Sequence, residues 1–370
     1  MTRVALVHDW LTGLRGGERV LEAICQLYPD ADIFTLVHAP GSAGPIIEQH
    51  KIRESFLQKL PGGLSKYRYY LPLFPLAVES LDLSGYQLVI STSHAVAKGC
   101  RPAKGARHVS YIHTPMRYLW DQFDAYFGPG RAGLATRAAA HLVAPWLRRW
   151  DVRSTARAQG LIANSRFVAA RCRRLWGREV DAVVYPPVDT ARFLPEPSGT
   201  HDDYALVVSA LVPYKRVDLA VRAFNQLRRR LIVAGDGPEL ARLRALAGPT
   251  VEVRGPVSQE ALPGLYARAN FFVLPGEEDF GIAPVEAQAA GRPVLALGQG
   301  GALETVLEGA TGTFFAEPAV ESLIEGIERL DKLTLDPAAA RANAERFAAP
   351  RFGPELQRAI ERILGGERAG

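Results

Sequence analysis

The chain has 370 residues, of which 48% are hydrophobic and 22% charged, a composition typical of a globular protein long enough for two domains. No run of about eighteen uncharged apolar residues occurs, which excludes a predicted membrane-spanning helix, and the N-terminal segment is typical of a buried strand rather than a signal peptide. With a net charge of +5 and three widely spaced cysteines, the sequence predicts a reducing, cytoplasmic location and no metal site.

Strand-like apolar runs alternate with helical stretches along the whole chain, which predicts an α/β fold with parallel sheets. The first half contains the runs Val4–Val7, Ile33–Leu36, Leu88–Ile90, Val109–Ile112 and Leu161–Ala163. The second half contains Leu206–Ser209, Leu231–Ala234, Val251–Val253, Phe271–Leu274 and Val294–Ala296. Each set is sufficient for one doubly wound domain. Two prolines in Val183–Asp189 indicate a linker between the domains, and a final helix is predicted at Pro354–Leu364.

Two loops in the first half carry features of ligand-binding sites. The pair Gly16-Gly17 follows the first strand, but the glycine fingerprint of dinucleotide-binding proteins is absent. The pair either lets a ligand approach the backbone closely or forms a tight turn that binds no ligand. His113 directly follows a strand, at the carboxyl end where α/β sites form, although a structural role is the alternative. The histidines interpreted as structural are His8, His38 and His94.

Two further stretches of the first half are candidates for surface binding. Residues 131–178 contain eleven Arg and one acid, Asp151. Such a stretch serves a nucleic acid, an anionic membrane or simply a solvated surface. The segment Lys66–Leu76 is aromatic, basic and apolar, and either packs on the core or lies at a bilayer surface.

The most informative stretch of the second half is the loop and helix start that follow Phe271–Leu274. Glu278 lies in the loop, and Glu286 lies in the first turns of a helix predicted to begin near Ala283. The amino end of a helix favours an anion, whereas ionised carboxylates accept hydrogen bonds from hydroxyl groups. A ligand that carries both phosphates and hydroxyls is a nucleotide sugar, although acidic capping of a helix is the alternative.

Cations for a diphosphate follow an earlier strand of the same half. Lys215 and Arg216 come after Leu206–Ser209 at a predicted helix start, where they are suited to neutralise phosphates. A surface Lys-Arg pair is the alternative. Short glycine turns close the next two strands, at Gly235 and after Arg254.

These motifs resemble the donor-binding signature of retaining glycosyltransferases of family 4, in which Glu-x7-Glu precedes Ala-x-Ala-x-Gly-x-Pro-Val. The string around His113 also resembles the His-x-Pro motif of that family, particularly of its bacterial polysaccharide mannosyltransferase branch. The resemblance implies the α/β GT-B fold, with two Rossmann-like domains facing a cleft. The acceptor-side domain would comprise residues 1–185 with the C-terminal helix 350–370, and the donor-binding domain residues 186–349.

The resemblance also implies roles for individual residues. His113 and Glu278 would be catalytic and contact the donor sugar, and Glu286 would hold the nucleotide ribose. The remaining residues implied to bind the donor are Gly16, Gly17, Ser209, Lys215, Arg216, Gly235, Arg254, Val257, Phe280, Gly281 and Ile282. The family's usual Arg falls on Ala210, so either Arg216 substitutes for it or one cation fewer holds the diphosphate.

The expected reaction moves a hexose, best mannose from GDP-mannose, to a hydroxyl of a saccharide acceptor with retention of anomeric configuration. Neither a metal nor a cofactor is expected, and nucleic acid is not an expected partner. A lipid-linked acceptor in bacterial surface polysaccharide synthesis, with the protein peripheral on the inner face of an anionic membrane, is the expected setting. The alternatives are a GT-B sugar-nucleotide epimerase and a catalytically inactive nucleotide-sugar-binding protein.

Overall fold

The computed structural model describes residues 2–128, 133–197 and 199–366. The chain divides into two units. The first runs up to Pro187 and resumes at Phe352, and the second is Val188–Arg351. Both divisions lie two residues later in the chain than the predicted 185/186 and 349/350 boundaries.

The first unit is built on a seven-stranded parallel sheet with the strand order β3-β2-β1-β4-β5-β6-β7. The order reverses between β1 and β4, which makes the carboxyl ends of these two strands the topological switch point of the sheet. The strands are β1 (Val4–His8), β2 (Asp32–Thr35), β3 (Ile52–Glu54), β4 (Leu88–Ser93), β5 (Arg107–Ile112), β6 (Gly160–Ala163) and β7 (Ala182–Val183).

Helices connect these strands, as parallel pairing requires. They are α1 (Gly16–Leu27), α2 (Pro45–Glu48), α3 (Phe74–Glu79), α4 (Phe123–Phe127), α5 (Leu134–Ser154) and α6 (Arg166–Trp176). Short 3-10 helices cover Phe56–Lys59, Tyr67–Leu73, Ala97–Gly99 and Thr155–Arg157. Local sequence explains the ends of α6: the Ser165 hydroxyl accepts the Val168 N–H at 3.0 Å, and Gly177 ends the helix with a φ of 64°.

The second unit contains a six-stranded parallel sheet with the order β10-β9-β8-β11-β12-β13, which reverses between β8 and β11. Its strands are β8 (Ala205–Val208), β9 (Leu231–Ala234), β10 (Val251–Gly255), β11 (Phe271–Leu274), β12 (Val294–Leu297) and β13 (Gly312–Phe315). Its helices are α7 (Val217–Leu227), α8 (Leu240–Leu246), α9 (Leu262–Arg268), α10 (Ile282–Ala289), α11 (Ala302–Thr305), α12 (Val320–Leu330) and α13 (Pro337–Ala344). Short 3-10 helices cover Pro213–Lys215 and Glu345–Phe347.

The last helix, α14 (Ala349–Gly365), begins five residues before the predicted start. The sequence prediction placed the start at Pro354, which instead lies inside the helix. From Phe352 onward the helix belongs to the first unit, where its apolar side packs into the core that lies under β1 and β5. The Phe352 ring meets Tyr111 edge-on, with ring centroids 5.9 Å apart.

All ten predicted strands are present, and the prediction of two doubly wound parallel sheets is confirmed. Three strands were missed: β3, β7 and β13, and each lies at the edge of its sheet. An edge strand is covered less fully than a central one, so it does not require a long apolar run. Because Val183 ends β7, the predicted linker Val183–Asp189 begins inside a strand. Among the described residues, no helix has both the length and the apolar character needed to cross a bilayer.

Candidate active site

In the second unit, the residue predicted to bind the donor phosphates and the residue predicted to bind the sugar lie together at the switch point of the sheet. Lys215 follows β8 and Glu278 follows β11, and these strands are neighbours. The Lys215 ammonium donates a hydrogen bond to Oε1 of Glu278, and both side chains are partly buried. Crevices at the carboxyl ends of strands on either side of such a reversal are the usual ligand sites of open α/β sheets.

The loop that carries Glu278 is fixed by backbone contacts. Gly281 has a φ of 92°, which an L-residue adopts only with strain, and this turn directs the chain into α10 at Ile282. The Gly301 N–H donates to the Glu278 carbonyl at 2.8 Å, and a Cβ at Gly300 would lie 2.4 Å from that same oxygen. The loop after β12 therefore supports the Glu278 loop, and the first N–H groups of α10 lie beside it.

Glu286 lies in the second turn of α10. Its Oε2 accepts a hydrogen bond from the Tyr266 hydroxyl at 2.7 Å. Burial, with the adjacent Glu286 carboxylate, raises the pKa of Tyr266 well above its usual range, so the hydroxyl remains a donor. The Tyr266 ring stacks on Phe272 at a centroid distance of 5.8 Å, which holds it in place. Glu286 is therefore positioned by a rigid neighbour.

The loops that follow β8, β9 and β10 are linked to one another in series. The Ser209 N–H donates to the Ala234 carbonyl at 3.1 Å, and the Gly235 N–H donates to the Gly255 carbonyl at 2.8 Å. Gly235 has a φ of 145°, and a Cβ there would lie 1.8 Å from the Ser209 carbonyl oxygen. Only glycine fits this close approach, so Gly235 and Ser209 are brought together as predicted donor-site residues.

Other predicted donor-binding residues have partners that reduce their availability. The Arg254 guanidinium donates to both carboxylate oxygens of Glu252, at 2.7 and 3.1 Å. Arg216 adopts a left-handed φ of 51° at the start of α7, with Nε 3.5 Å from Asp218. The Phe280 ring is buried with its centroid 5.3 Å from that of Phe347. Val257 lies half-buried in the loop after β10.

In the first unit, His113 follows β5 and lies beside α1. A Cβ at Gly17 would be 3.7 Å from both Nε2 of His113 and Cε1 of His8. The Nε2 atom of His113 is buried and has no hydrogen-bond partner among the described residues. Burial lowers the pKa of His113 to about 3, and the neighbouring His94 and His8 act in the same direction. At neutral pH this imidazole is therefore uncharged, with a nitrogen still available for a ligand.

The sequence analysis missed a cluster of titratable groups around His113. Asp9 and His94 follow β1 and β4 at the switch point of this sheet, with Nδ1 of His94 3.2 Å from Asp9. The ring centroids of His94 and His113 are 6.1 Å apart, and Nε2 of His8 is 3.9 Å from Glu18. The position of Asp9 directly after the first strand was the available signal.

The charges of this cluster are set by its surroundings. Burial alone would raise the pKa of Asp9. His94 and His8 nevertheless keep that pKa below its usual range, together with the backbone N–H groups that donate hydrogen bonds to the carboxylate. Burial likewise opposes ionisation of Glu18, and the contact with His8 outweighs it to lower the pKa of Glu18 to about 2. The described part of the chain has no group of three or more acidic, His or Cys side chains arranged to hold a metal.

Both units match models of glycosyltransferase families. Residues 14–192 match the family model "Glycosyltransferase Family 4", and residues 193–347 match "Glycosyl transferases group 1". The chain belongs to glycosyltransferase family 4. A solved structure shows the same fold: a sucrose-phosphate synthase from Thermosynechococcus elongatus superposes with a TM-score of 0.71 at 18% identity, over 99% of this chain and 100% of its own. The predicted family and GT-B fold are confirmed.

Two curated relatives in this family are more similar in sequence. A GDP-mannose-dependent alpha-(1-6)-phosphatidylinositol monomannoside mannosyltransferase from Mycolicibacterium smegmatis is 35% identical over 208 residues, 48% of this chain and 53% of the relative. A D-inositol 3-phosphate glycosyltransferase from Streptomyces scabiei is 34% identical over 226 residues, 51% of each chain. The chain spans about half the length of the curated relatives it matches.

Proposed function

We propose that this family member is a retaining glycosyltransferase that moves a hexose from a nucleotide diphosphate sugar to a hydroxyl of a saccharide acceptor. The observation that carries the proposal is the Lys215–Glu278 pair at the switch point between β8 and β11. A cation and a carboxylate at one sheet crevice suit a ligand with both phosphates and hydroxyls.

Each named group has a role in this reaction. Lys215 and the amino end of α10 stabilise the negative charge that develops on the leaving diphosphate. Glu278 accepts hydrogen bonds from hydroxyls of the transferred sugar, and Glu286, held by Tyr266, accepts them from the ribose. In the first unit, His113 is neutral and has a buried nitrogen without a partner among the described residues, so it offers a hydrogen bond to a ligand hydroxyl without adding charge.

The donor we propose is GDP-mannose. Support comes from the M. smegmatis relative, which is a GDP-mannose-dependent mannosyltransferase. That relative is a phosphatidylinositol monomannoside mannosyltransferase, which supports a lipid-linked saccharide as the acceptor of this chain. We place the reaction at the cytoplasmic face of an anionic membrane, in the synthesis of bacterial surface polysaccharide.

We also propose that the reaction needs no divalent metal or organic cofactor, because Lys215 and the α10 terminus provide positive charge at the donor site. Transfer should therefore continue in excess EDTA at the rate measured in its absence. A complete loss of transfer in EDTA, reversed by magnesium or manganese, would contradict this part of the proposal.

A thermal-shift panel of nucleotide sugars tests the donor assignment. A donor present at 100 times its Kd stabilises the folded state by about 2.7 kcal/mol. For a unit of this size, in which 1 kcal/mol corresponds to about 2–4 °C, that raises the melting temperature by roughly 5–11 °C. GDP-mannose should produce this shift, whereas guanosine and free mannose should not. An equal or larger shift with UDP-sugars alone would reject GDP-mannose as the donor.

One observation favours a second candidate, an inactive nucleotide-sugar-binding protein. Ala210 is exposed at the position of the family's usual Arg, and the nearby Arg216 lies 3.5 Å from Asp218. A binding protein would show the thermal shift without consuming the donor. A GT-B epimerase would consume the donor without any acceptor, and a transferase needs the acceptor for product formation.

A further inference from the structure

We propose that the outward side of α5 is a docking surface for an anionic lipid bilayer. This side, called the α5 outer face below, comprises Leu134, Leu142, Trp146, Arg149 and Arg153. The inference rests on the proposed function, since it gives the membrane location of that function a physical basis in one helix.

The α5 outer face carries large apolar side chains, whereas the outward side of an ordinary surface helix is polar. Leu134 and Leu142 are 81% and 82% exposed, and the large Trp146 ring is 48% exposed. The residues Leu142, Trp146, Arg149 and Arg153 follow at i, i+4, i+7 and i+11, so they share one side. The opposite side is buried through Ala144, Leu147, Asp151 and Ser154. Large apolar side chains thus lie on the outer side of the helix as well as on its buried side.

The charge of the α5 outer face is positive and has no acid to offset it. Within α5, every residue of which is described, the two exposed charged side chains are Arg149 and Arg153. The single acid, Asp151, is buried and forms an ion pair with the buried Lys98. It also accepts hydrogen bonds from the indole N–H groups of Trp120 and Trp176, at 2.8 and 2.7 Å. Exposed leucine, tryptophan and arginine together match an anionic lipid interface.

The structure also shows which arginines of the basic stretch 131–178 are engaged in contacts within the first unit. Arg131 lies outside the described residues. Arg157 donates to Glu79, Arg171 forms an ion pair with Asp121, and Arg178 donates to the carbonyls of Thr155 and Ala158. These three arginines serve the fold of the first unit. On the α5 outer face, by contrast, the exposed Arg149 and Arg153 lie beside exposed apolar side chains.

A second segment of the same unit exposes similar side chains. Within Lys66–Leu76, Tyr67 and Phe74 are buried in the core cluster that also contains Ala144 and Leu147 of α5. Other side chains of the segment are exposed, including Tyr69 at 80% and Leu76 at 59%. Packing on the core is therefore confirmed for Tyr67 and Phe74, and contact of the exposed side chains with a bilayer stays a prediction. An aromatic and a leucine beside exposed Lys66 and Arg68 extend the interfacial composition.

Vesicle sedimentation with the full chain tests the proposal. Phosphatidylglycerol vesicles should sediment the protein at about 50 mM salt, and phosphatidylcholine vesicles should not; binding should weaken at about 500 mM salt. R149E/R153E should weaken binding by at least about 25-fold, since each cation contributes roughly fivefold. L142E/W146E should abolish it. The matched controls are R222E and L194E, which change an exposed Arg and an exposed Leu of the second unit and should bind as the wild type does.

The tryptophan itself provides a second readout. Trp10, Trp120, Trp150 and Trp176 are buried or partly buried in the core, whereas Trp146 is exposed. Vesicles with brominated acyl chains should quench wild-type fluorescence, and W146F should still bind but lose most of the quenching. Binding by the wild type without quenching of Trp146, or unchanged binding by L142E/W146E, would overturn the proposal. So would a change in the mass of the free protein in L142E/W146E, because that would make the α5 outer face a contact between copies.

This experiment separates the inference from the proposed function. L142E/W146E should keep the wild-type thermal shift with GDP-mannose, since α5 lies in the first unit and the donor-site residues Lys215 and Glu278 lie in the second. Vesicle binding without any response to a nucleotide sugar would overturn the proposed function and leave the docking surface standing. A donor response without vesicle binding would do the reverse.

Discussion

Lys215 and Glu278 are ion-pair partners, although they are 63 residues apart in the sequence. Their strands, β8 and β11, are adjacent in the sheet, and the loops after them meet where Gly276 closely approaches the carbonyls of Tyr214 and Lys215. We expect the phosphates of a donor in this crevice to contact Lys215 and its hydroxyl groups to contact Glu278. The contact therefore brings the predicted phosphate-binding and sugar-binding side chains to one place.

The two glutamates should have separable effects. We expect Glu286→Gln to weaken GDP affinity and Glu278→Gln to lower turnover while GDP affinity stays near the wild-type value. Loss of a charged hydrogen bond costs about 1.5–3 kcal/mol, so each effect should reach at least about tenfold. Calorimetric titration of GDP and steady-state turnover measure the two effects.

A matched control for Glu286 is available in its neighbour. Tyr266→Phe removes the hydroxyl that positions Glu286 and keeps the carboxylate, so it should weaken GDP binding less than Glu286→Gln does. Equal losses of GDP affinity in Glu278→Gln and Glu286→Gln would disprove the division of roles.

The cation beside the phosphates should be selective for them. Lys215→Ala should reduce affinity for GDP by about tenfold or more and leave affinity for guanosine unchanged, because a charged contact with the diphosphate is lost. Arg222→Ala, an exposed Arg on α7, is the control. If Arg216 replaces the missing Arg at Ala210, Arg216→Ala should reproduce the Lys215→Ala result; a wild-type value would assign the diphosphate to Lys215 without it.

Space beside His113 should matter for turnover more than for folding. A Cβ at Gly17 would meet His113 and His8 only at ordinary contact distance, 3.7 Å, so Gly17→Ala should leave the melting temperature unchanged. A ligand that approaches His113 over this position loses room, and turnover should fall roughly tenfold to a hundredfold. Gly264→Ala, which adds a methyl to open space, is the control. Wild-type turnover in Gly17→Ala would place the ligand elsewhere.

Acid should destabilise the first unit before its carboxylates protonate. Burial lowers the pKa of His108 to about 4, so between pH 6.5 and 4.5 the unfolded chain takes up a proton that the folded unit does not. The free energy of unfolding should therefore fall as the pH falls, by roughly 2 kcal/mol from His108 alone over this range. The lowered pKa of His113 acts in the same direction.

Urea unfolding monitored by tryptophan fluorescence measures this effect, because all five tryptophans lie in the first unit. His108→Gln should reduce the pH dependence between pH 6.5 and 4.5 by about half. His201→Gln, which changes an exposed residue of the second unit, should leave it unchanged. An equally steep dependence in His108→Gln would contradict the assignment.

The central strands could be predicted from the sequence because burial on both faces requires apolar runs such as Val4–Val7 and Phe271–Leu274. Three of the four edge strands could not, since a strand such as Ile52–Glu54 needs neither length nor continuous apolar character. The C-terminal helix is predicted from the sequence, but it begins at Ala349 and includes Pro354 in its second turn.

For the site, local patterns placed Glu278, Glu286, Lys215 and His113 after strands, and the family resemblance supplied their roles. The Asp9–His94 contact was missed because it depends on β1 and β4 being neighbours, which strand order alone determines. The Lys215–Glu278 pair depends in the same way on β8 and β11. Pairings across a switch point become visible only once the order of the strands is known.

The anomeric configuration of the product tests the central claim most directly. The protein is incubated with GDP-α-mannose, a lipid-linked saccharide acceptor and EDTA, and the new linkage is analysed by NMR. We expect mannose joined to the acceptor in the α configuration, with no product from the Lys215→Ala/Glu278→Gln double variant. Consumption of GDP-mannose without an acceptor-linked product, or a β linkage, would contradict retaining glycosyl transfer.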